Sequence, residues 1–161
     1  IIVVRYREYR PLKSILVPVA GGPNSRLAVH TAVTMAREAQ AGPVKVTALR
    51  IIPEEATEAT RIRAQKDLAR AMEGAPSYEI NLKVMPGKDV VETILAVAED
   101  YDLNVIGATN EPLFSTLLVG PIPQQVALRA EVTTLMVKQR HGPFKSLLRE
   151  TVLEPASSKS V

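Results

Sequence analysis

Two glycines thirteen residues apart raise the first chemical question. They stand as Gly107 and Gly120 in VIGATNEPLFSTLLVGPIPQQV, residues 105–126. A β-like run ends at the first, a loop follows, and the second opens a helical stretch. That is the layout of a phosphate-holding loop, in which free N–H groups at a helix N-terminus meet an anion. The donors are depleted, however. Pro121 and Pro123 carry no N–H, and the residues between the glycines include no Lys or Arg. Leu113, Phe114, Leu117 and Leu118 make the loop apolar, better suited to packing on a neighbour than to facing a triphosphate.

No other constellation asks for chemistry. Without cysteine there is no disulfide, thiolate metal site or cysteine nucleophile, and a reducing compartment fits. His30 has no His or Cys at ligand spacing, and His141 lies in a tail; a structural role is expected for His30. HExxH, GxSxG and GKS/GKT are all missing, so hydrolase and P-loop chemistry lack support. Asp100 and Asp102 read as a solvated turn between a helix and a strand. The expectation is therefore no catalysis and no metal.

The charge of +3 belongs to the ends. Residues 1–14 carry Arg5, Arg7, Arg10 and Lys13 against Glu8, a net +3; residues 138–161 are also +3, and the body between them is −3. An acidic body argues against a nucleic-acid face, which needs Lys and Arg gathered on a folded surface. No run of 18 apolar residues could span a bilayer. The opening IIVVRYREYR lacks a methionine and resembles the cytoplasmic end of a membrane helix, with an ordinary edge strand as the alternative. Residues 1–12 are thus expected to be a basic juxtamembrane or linker segment, 13–140 one folded domain, and 141–161 a basic, disordered tail.

The elements that must hold the glycines follow from pattern. KSILVPV (13–19) is a continuous apolar run, as in a strand buried on both faces. AGGPNS turns the chain, with Asn24 or Ser25 as cap, into a helix over 26–40 with a stripe of Leu27, Thr31, Ala32, Met35 and Ala39. A strand over 44–52 comes next, then a helix over 54–73 lined by Ile62, Leu68, Ala69 and Met72. Residues 78–84 form a third strand, Asp89 caps a helix over 90–101, and 103–107 form a fourth strand. A helix over 122–130 and a strand over 133–137 complete the series. This alternation predicts a three-layer α/β/α domain with a five-stranded parallel sheet and right-handed crossovers. Loops 20–25 and 107–120 then meet beyond the strand carboxyl ends, provided the first and fourth strands are neighbours.

From KSILVPV to TTLMVK the chain resembles a universal stress protein domain, most tellingly in MPGKDVVETILAVAEDYDLNVIGA (85–108). The resemblance implies the adenine-nucleotide alpha-hydrolase-like fold. It also implies a ligand site at Pro18, Val19, Ala20, Gly21, Ile106, Gly107, Asn110, Gly120 and Ile122. ATP-binding members resemble one another in G-x2-G-x9-G-[S/T] and in an aspartate after the first strand. Here Gly107 and Gly120 match the outer glycines, Asn110 replaces the middle one, Pro121 the hydroxyl residue and Ala20 the aspartate.

The resulting expectation is a non-catalytic regulatory or assembly domain with a degenerate nucleotide loop and no cofactor. It is placed at the cytoplasmic face of the inner membrane as part of an amino-acid or cation transporter. The alternative is a soluble ATP- or AMP-binding stress protein; another small ligand, such as an amino acid or cyclic nucleotide, also stays open. Expected partners are an anionic membrane surface, the transporter part of the same chain and a second copy paired through the last strand, with no nucleic acid.

Overall fold

The computed structural model of the chain describes residues 1–108 and 122–139. The elements run β1 (Ile2–Arg5), β2 (Ser14–Pro18), α1 (Pro23–Glu38), β3 (Lys45–Ile52), α2 (Glu58–Met72) and β4 (Ile80–Pro86). They continue with α3 (Val90–Ala98), β5 (Leu103–Gly107), α4 (Ile122–Arg129) and β6 (Thr133–Val137). They build one sheet in the order β1-β6-β5-β2-β3-β4. Strands β2 to β6 are mutually parallel, as the βα alternation requires. No helix among the described residues is long and apolar enough to cross a membrane.

The sheet has six strands, not five. The sixth is β1, drawn from the segment expected to be a linker. It pairs antiparallel with β6, Ile2 opposite Val137 and Arg5 opposite Thr134. Ile1 and Lys138 exchange reciprocal backbone hydrogen bonds of 2.9 and 2.8 Å. Arg7 then reaches the end of α4, donating from Nε to the Ala130 carbonyl at 2.8 Å and from Nη2 to that of Leu128 at 3.0 Å. A cation on the last carbonyls of a helix satisfies orphan acceptors and opposes the negative end of its dipole. β6 is consequently no edge strand, and the side on which pairing with a second copy was expected carries β1.

Two apolar layers enclose the sheet. On one side Ile15, Val17, Val46, Ala48, Leu103, Val105 and Val137 pack against Ala28, Val29, Ala32, Val33 and Ala36 of α1 and Ala64, Leu68 and Ala71 of α2. Of the expected stripe, Ala32 is in the core and Leu27, Met35 and Ala39 pack on its margin, while the centre is held by Ala28, Val29, Val33 and Ala36, whose small side chains let the helix lie close to the strands. On α2, Ile62 points outward and Thr57 caps the helix, which begins later than expected. On the other side Leu16 and Leu49 meet Ala98, Tyr101 and Ala130, while Ile106 and Met136 meet Val91, Ile94 and Val126. Asp89 caps α3 as expected, accepting from the Val91 and Glu92 N–H groups.

Asp102 is not a solvated turn residue. Its Oδ2 accepts from the Lys13 and Ser14 N–H groups and from Ser14 Oγ, each at 2.9 Å. The carboxylate joins the start of β5 to the start of β2 and so fixes their register, Ile15 opposite Leu103. Thr47, Asn104 and Thr134 are fully or almost fully buried on the α3–α4 side. Asn104 lies beside Leu16 and Thr134 in the ladder, and among the described residues neither of its amide atoms has a hydrogen-bond partner.

Two outcomes follow for stability, both measurable by urea unfolding. Asp102→Ala is expected to lose about 2–3 kcal/mol, because two strand-opening N–H groups lose a charged acceptor. Asn104→Val is expected to gain about 1 kcal/mol, because an unsatisfied buried amide gives way to an apolar side chain.

Candidate functional site

The chain winds from β2 through β3 to β4 in one direction and through β5 to β6 in the other. The strand order therefore reverses between β2 and β5, which are hydrogen-bonded neighbours. The crevice beyond their carboxyl ends is where sheets of this kind take ligands. The turn after β2 and the end of β5 converge there, as the sequence led one to expect.

Gly107 decides how closely they converge. A Cβ on it would stand 2.5 Å from the carbonyl carbon and oxygen of Asn24 and 2.8 Å from the Ser25 nitrogen. The last residue of β5 thus presses directly on the first turn of α1, and only glycine permits that approach. Asn24 fastens the contact from the other side. Its Nδ2 donates to the Ala108 carbonyl at 2.6 Å, and its Oδ1 accepts from the Gln139 N–H at 2.8 Å. One buried side chain therefore joins α1 to the outgoing ends of β5 and β6.

The turn before α1 is equally determined. Gly21 and Gly22 have φ of 98° and 81°, left-handed values that side chains with a Cβ resist. Ser25 Oγ donates to the Gly21 carbonyl at 3.0 Å and accepts from the Ala20 N–H at 3.2 Å. Neither Asn24 nor Ser25 is the helix cap expected of them. Gly22 occupies that position without a side-chain hydrogen bond, Pro23 follows, and the first turn holds no acidic residue. The positive end of a sixteen-residue helix thus meets the crevice without an anionic side chain of its own.

Arg50 closes the floor on the β3 side. Its Nη1 donates to the Val19 carbonyl at 3.2 Å, and its Nη2 lies 3.3 Å from Asp67 Oδ2. Both side chains are largely shielded, and Gly21 lies over Asp67. The pair is neutral as a unit and offers no net positive charge to a polyphosphate.

The expected site residues divide accordingly. The Val19 and Ile106 side chains belong to the two apolar layers, and both backbone groups of Val19 are used, by Leu49 and Arg50. Pro18 is buried, Ala20 is exposed, and Gly21 and Gly107 line the convergence. Ile122 opens α4 and is exposed, with Pro123 buried behind it. Asn110, Gly120 and Pro121 lie outside the described residues, as does the tail from 141. Sequence reasoning missed Asn24, Arg50 and Asp67. A lone Arg inside the apolar run VTALRII was the available signal for one of them. His30 serves structure, its Nε2 3.0 Å from the Glu73 carbonyl oxygen. Among the described residues no group of three or more His, Cys, Asp or Glu side chains converges as a metal site would.

The sequence model of the universal stress protein family matches residues 11–138. Among solved structures, a universal stress protein in complex with cAMP superposes with a TM-score of 0.64 at 21% identity, covering 80% of this chain and 98% of that one. A universal stress protein from Archaeoglobus fulgidus in complex with dAMP gives 0.60 at 21%, covering 79% and 98%. The UspA of Lactobacillus plantarum gives 0.54 at 23%, covering 82% and 100%. No curated protein matches closely enough in sequence to add to these.

The close approach at Gly107 has a measurable consequence. Gly107→Ala is expected to lose about 2–3 kcal/mol, since backbone rather than a pliant side chain must move. Asn24→Ala is expected to lose about 2 kcal/mol by stranding the buried Ala108 carbonyl and the partly buried Gln139 N–H. Thermal or urea unfolding of both variants checks this, and an unaffected Gly107→Ala would mean that α1 is not held against β5.

Proposed function

Because the chain belongs to the universal stress protein family, we propose that it is a non-catalytic regulatory domain that takes an adenosine monophosphate in the crevice between β2 and β5. The observation that carries this reading is the uncapped N-terminus of α1, drawn over the crevice by the Gly107–Asn24 contact. One anionic group at that helix end would gain from the dipole and from N–H groups of the first turn. Relatives of the same fold hold cAMP and dAMP.

A triphosphate fits less well, for reasons of donor count and charge. Pro121 and Pro123 remove N–H groups where α4 begins, and Ala20 has no carboxylate to help hold a metal. Arg50 is already matched by Asp67. The residues present therefore favour a ligand with one phosphate and no Mg²⁺ requirement.

Attachment to a membrane transporter gains nothing from these relatives. The universal stress proteins with cAMP and with dAMP are covered over 98% of their own length, so they are chains of this one domain. The nucleotide-binding alternative is the better supported of the two original readings.

Calorimetric titration tests the proposal. AMP is expected to bind at least about tenfold more tightly than ATP, the equivalent of one charged hydrogen bond, and added Mg²⁺ should not reverse the order. No heat with AMP at millimolar concentration, or tighter binding of ATP with Mg²⁺, would overturn it.

A further inference from the structure

The exposed apolar surface is concentrated at one end of the sheet. Six of the eleven exposed large hydrophobic residues among the described residues fall within the first nine: Ile1, Ile2, Val3, Val4, Tyr6 and Tyr9. Tyr6 is 65% exposed and Tyr9 83%. Ile2 and Val4 share one face of β1, by strand alternation. Their partners across the ladder are Val137 and Leu135, which lean into the layer beneath α1 and α2. β1 extends that layer past the helices, where its side chains are exposed and no described helix covers it. Leu128, also exposed, adjoins through the Arg7 contact to α4.

Basic groups are interleaved with these side chains. Arg5, Arg7, Arg10 and Lys13 stand against a single acid, Glu8, which pairs with Arg10. Exposed aliphatic side chains, two tyrosines and a net charge of +3 within fourteen residues are the composition that partitions into an anionic lipid–water interface. Tyrosine places its ring among acyl chains and its hydroxyl in the headgroups, while each nearby basic residue contributes electrostatically.

We propose that the β1 end of the sheet, with Tyr6 and Tyr9, is a docking surface for an anionic membrane. A second copy fits it less well. Two copies meeting here would bring +3 against +3. A lipid surface needs neither twofold matching nor a minimum area, and it neutralises the arginines.

Co-sedimentation of the whole chain with vesicles decides the matter, using neutral phosphatidylcholine and mixtures containing phosphatidylglycerol. Binding is expected to the anionic vesicles only and to weaken as salt is raised. Tyr6→Ser with Tyr9→Ser, and separately Arg10→Gln with Lys13→Gln, should each reduce it by about tenfold or more. All four side chains are outside the core, so thermal unfolding should be unchanged and serves as the folding control. Absence of binding at low salt overturns the proposal. So does binding that survives both double substitutions, which would place the lipid contact elsewhere. A dimer in light scattering that the Tyr substitutions dissociate, without vesicle binding, would assign the surface to a second copy.

Discussion

The functional end of this molecule depends on one close contact, the backbone of Gly107 against the first turn of α1. Without a Cβ, the end of β5 can press on Asn24 and Ser25, and the Asn24 amide then joins β5 to β6. The position of α1, the angle of the turn before it and the shape of the crevice all follow. Gly22 and Pro23 give the helix a local reason to start, but no side-chain cap holds that start in place. Tertiary contact does.

The opposite end of the sheet is governed by a different constraint, the need to satisfy a strand edge. β6 is a short apolar strand whose outer side would be left with unpaired backbone groups. β1 meets that need from within the chain, and Arg7 secures the junction by serving the final carbonyls of α4. The solution transfers the edge outward by one strand rather than removing it. The new edge strand is short and ends in Arg5, with further arginines and tyrosines directly after it, which disfavours sheet-to-sheet pairing while leaving apolar surface in view.

Much of the fold was legible because the central strands β2, β3 and β5 are largely buried on both faces and so read as apolar runs, with turn residues between the elements. Their parallel direction followed from the alternation with helices, whereas the adjacency of β2 and β5 was a condition that the sheet order fulfils. β1 was not legible as part of the sheet. Its partner lies about 130 residues away, and a short apolar run followed by alternating arginines fits a linker equally well. The Asp102 clamp was missed for the same reason, since its contacts with Lys13 and Ser14 span almost ninety residues. In α1 the expected stripe proved to be the margin of the buried face, because close packing on the sheet placed the smaller alanines and valines at its centre.

Gly107 shows how a motif glycine can be demanded by packing alone. Spacing alone identifies it as the first glycine of a phosphate loop, yet its immediate neighbour is the α1 backbone. Packing requires a glycine there whether or not a phosphate is ever present. The residues that would set the ligand's charge are under no such constraint. Ala20 and Pro121 replace groups that would serve a metal or a phosphate, while Arg50 is balanced by Asp67. Retained glycines in such a fold therefore report on helix–strand contact first. The number of phosphates a site can hold has to be read from its charged groups and its free N–H donors.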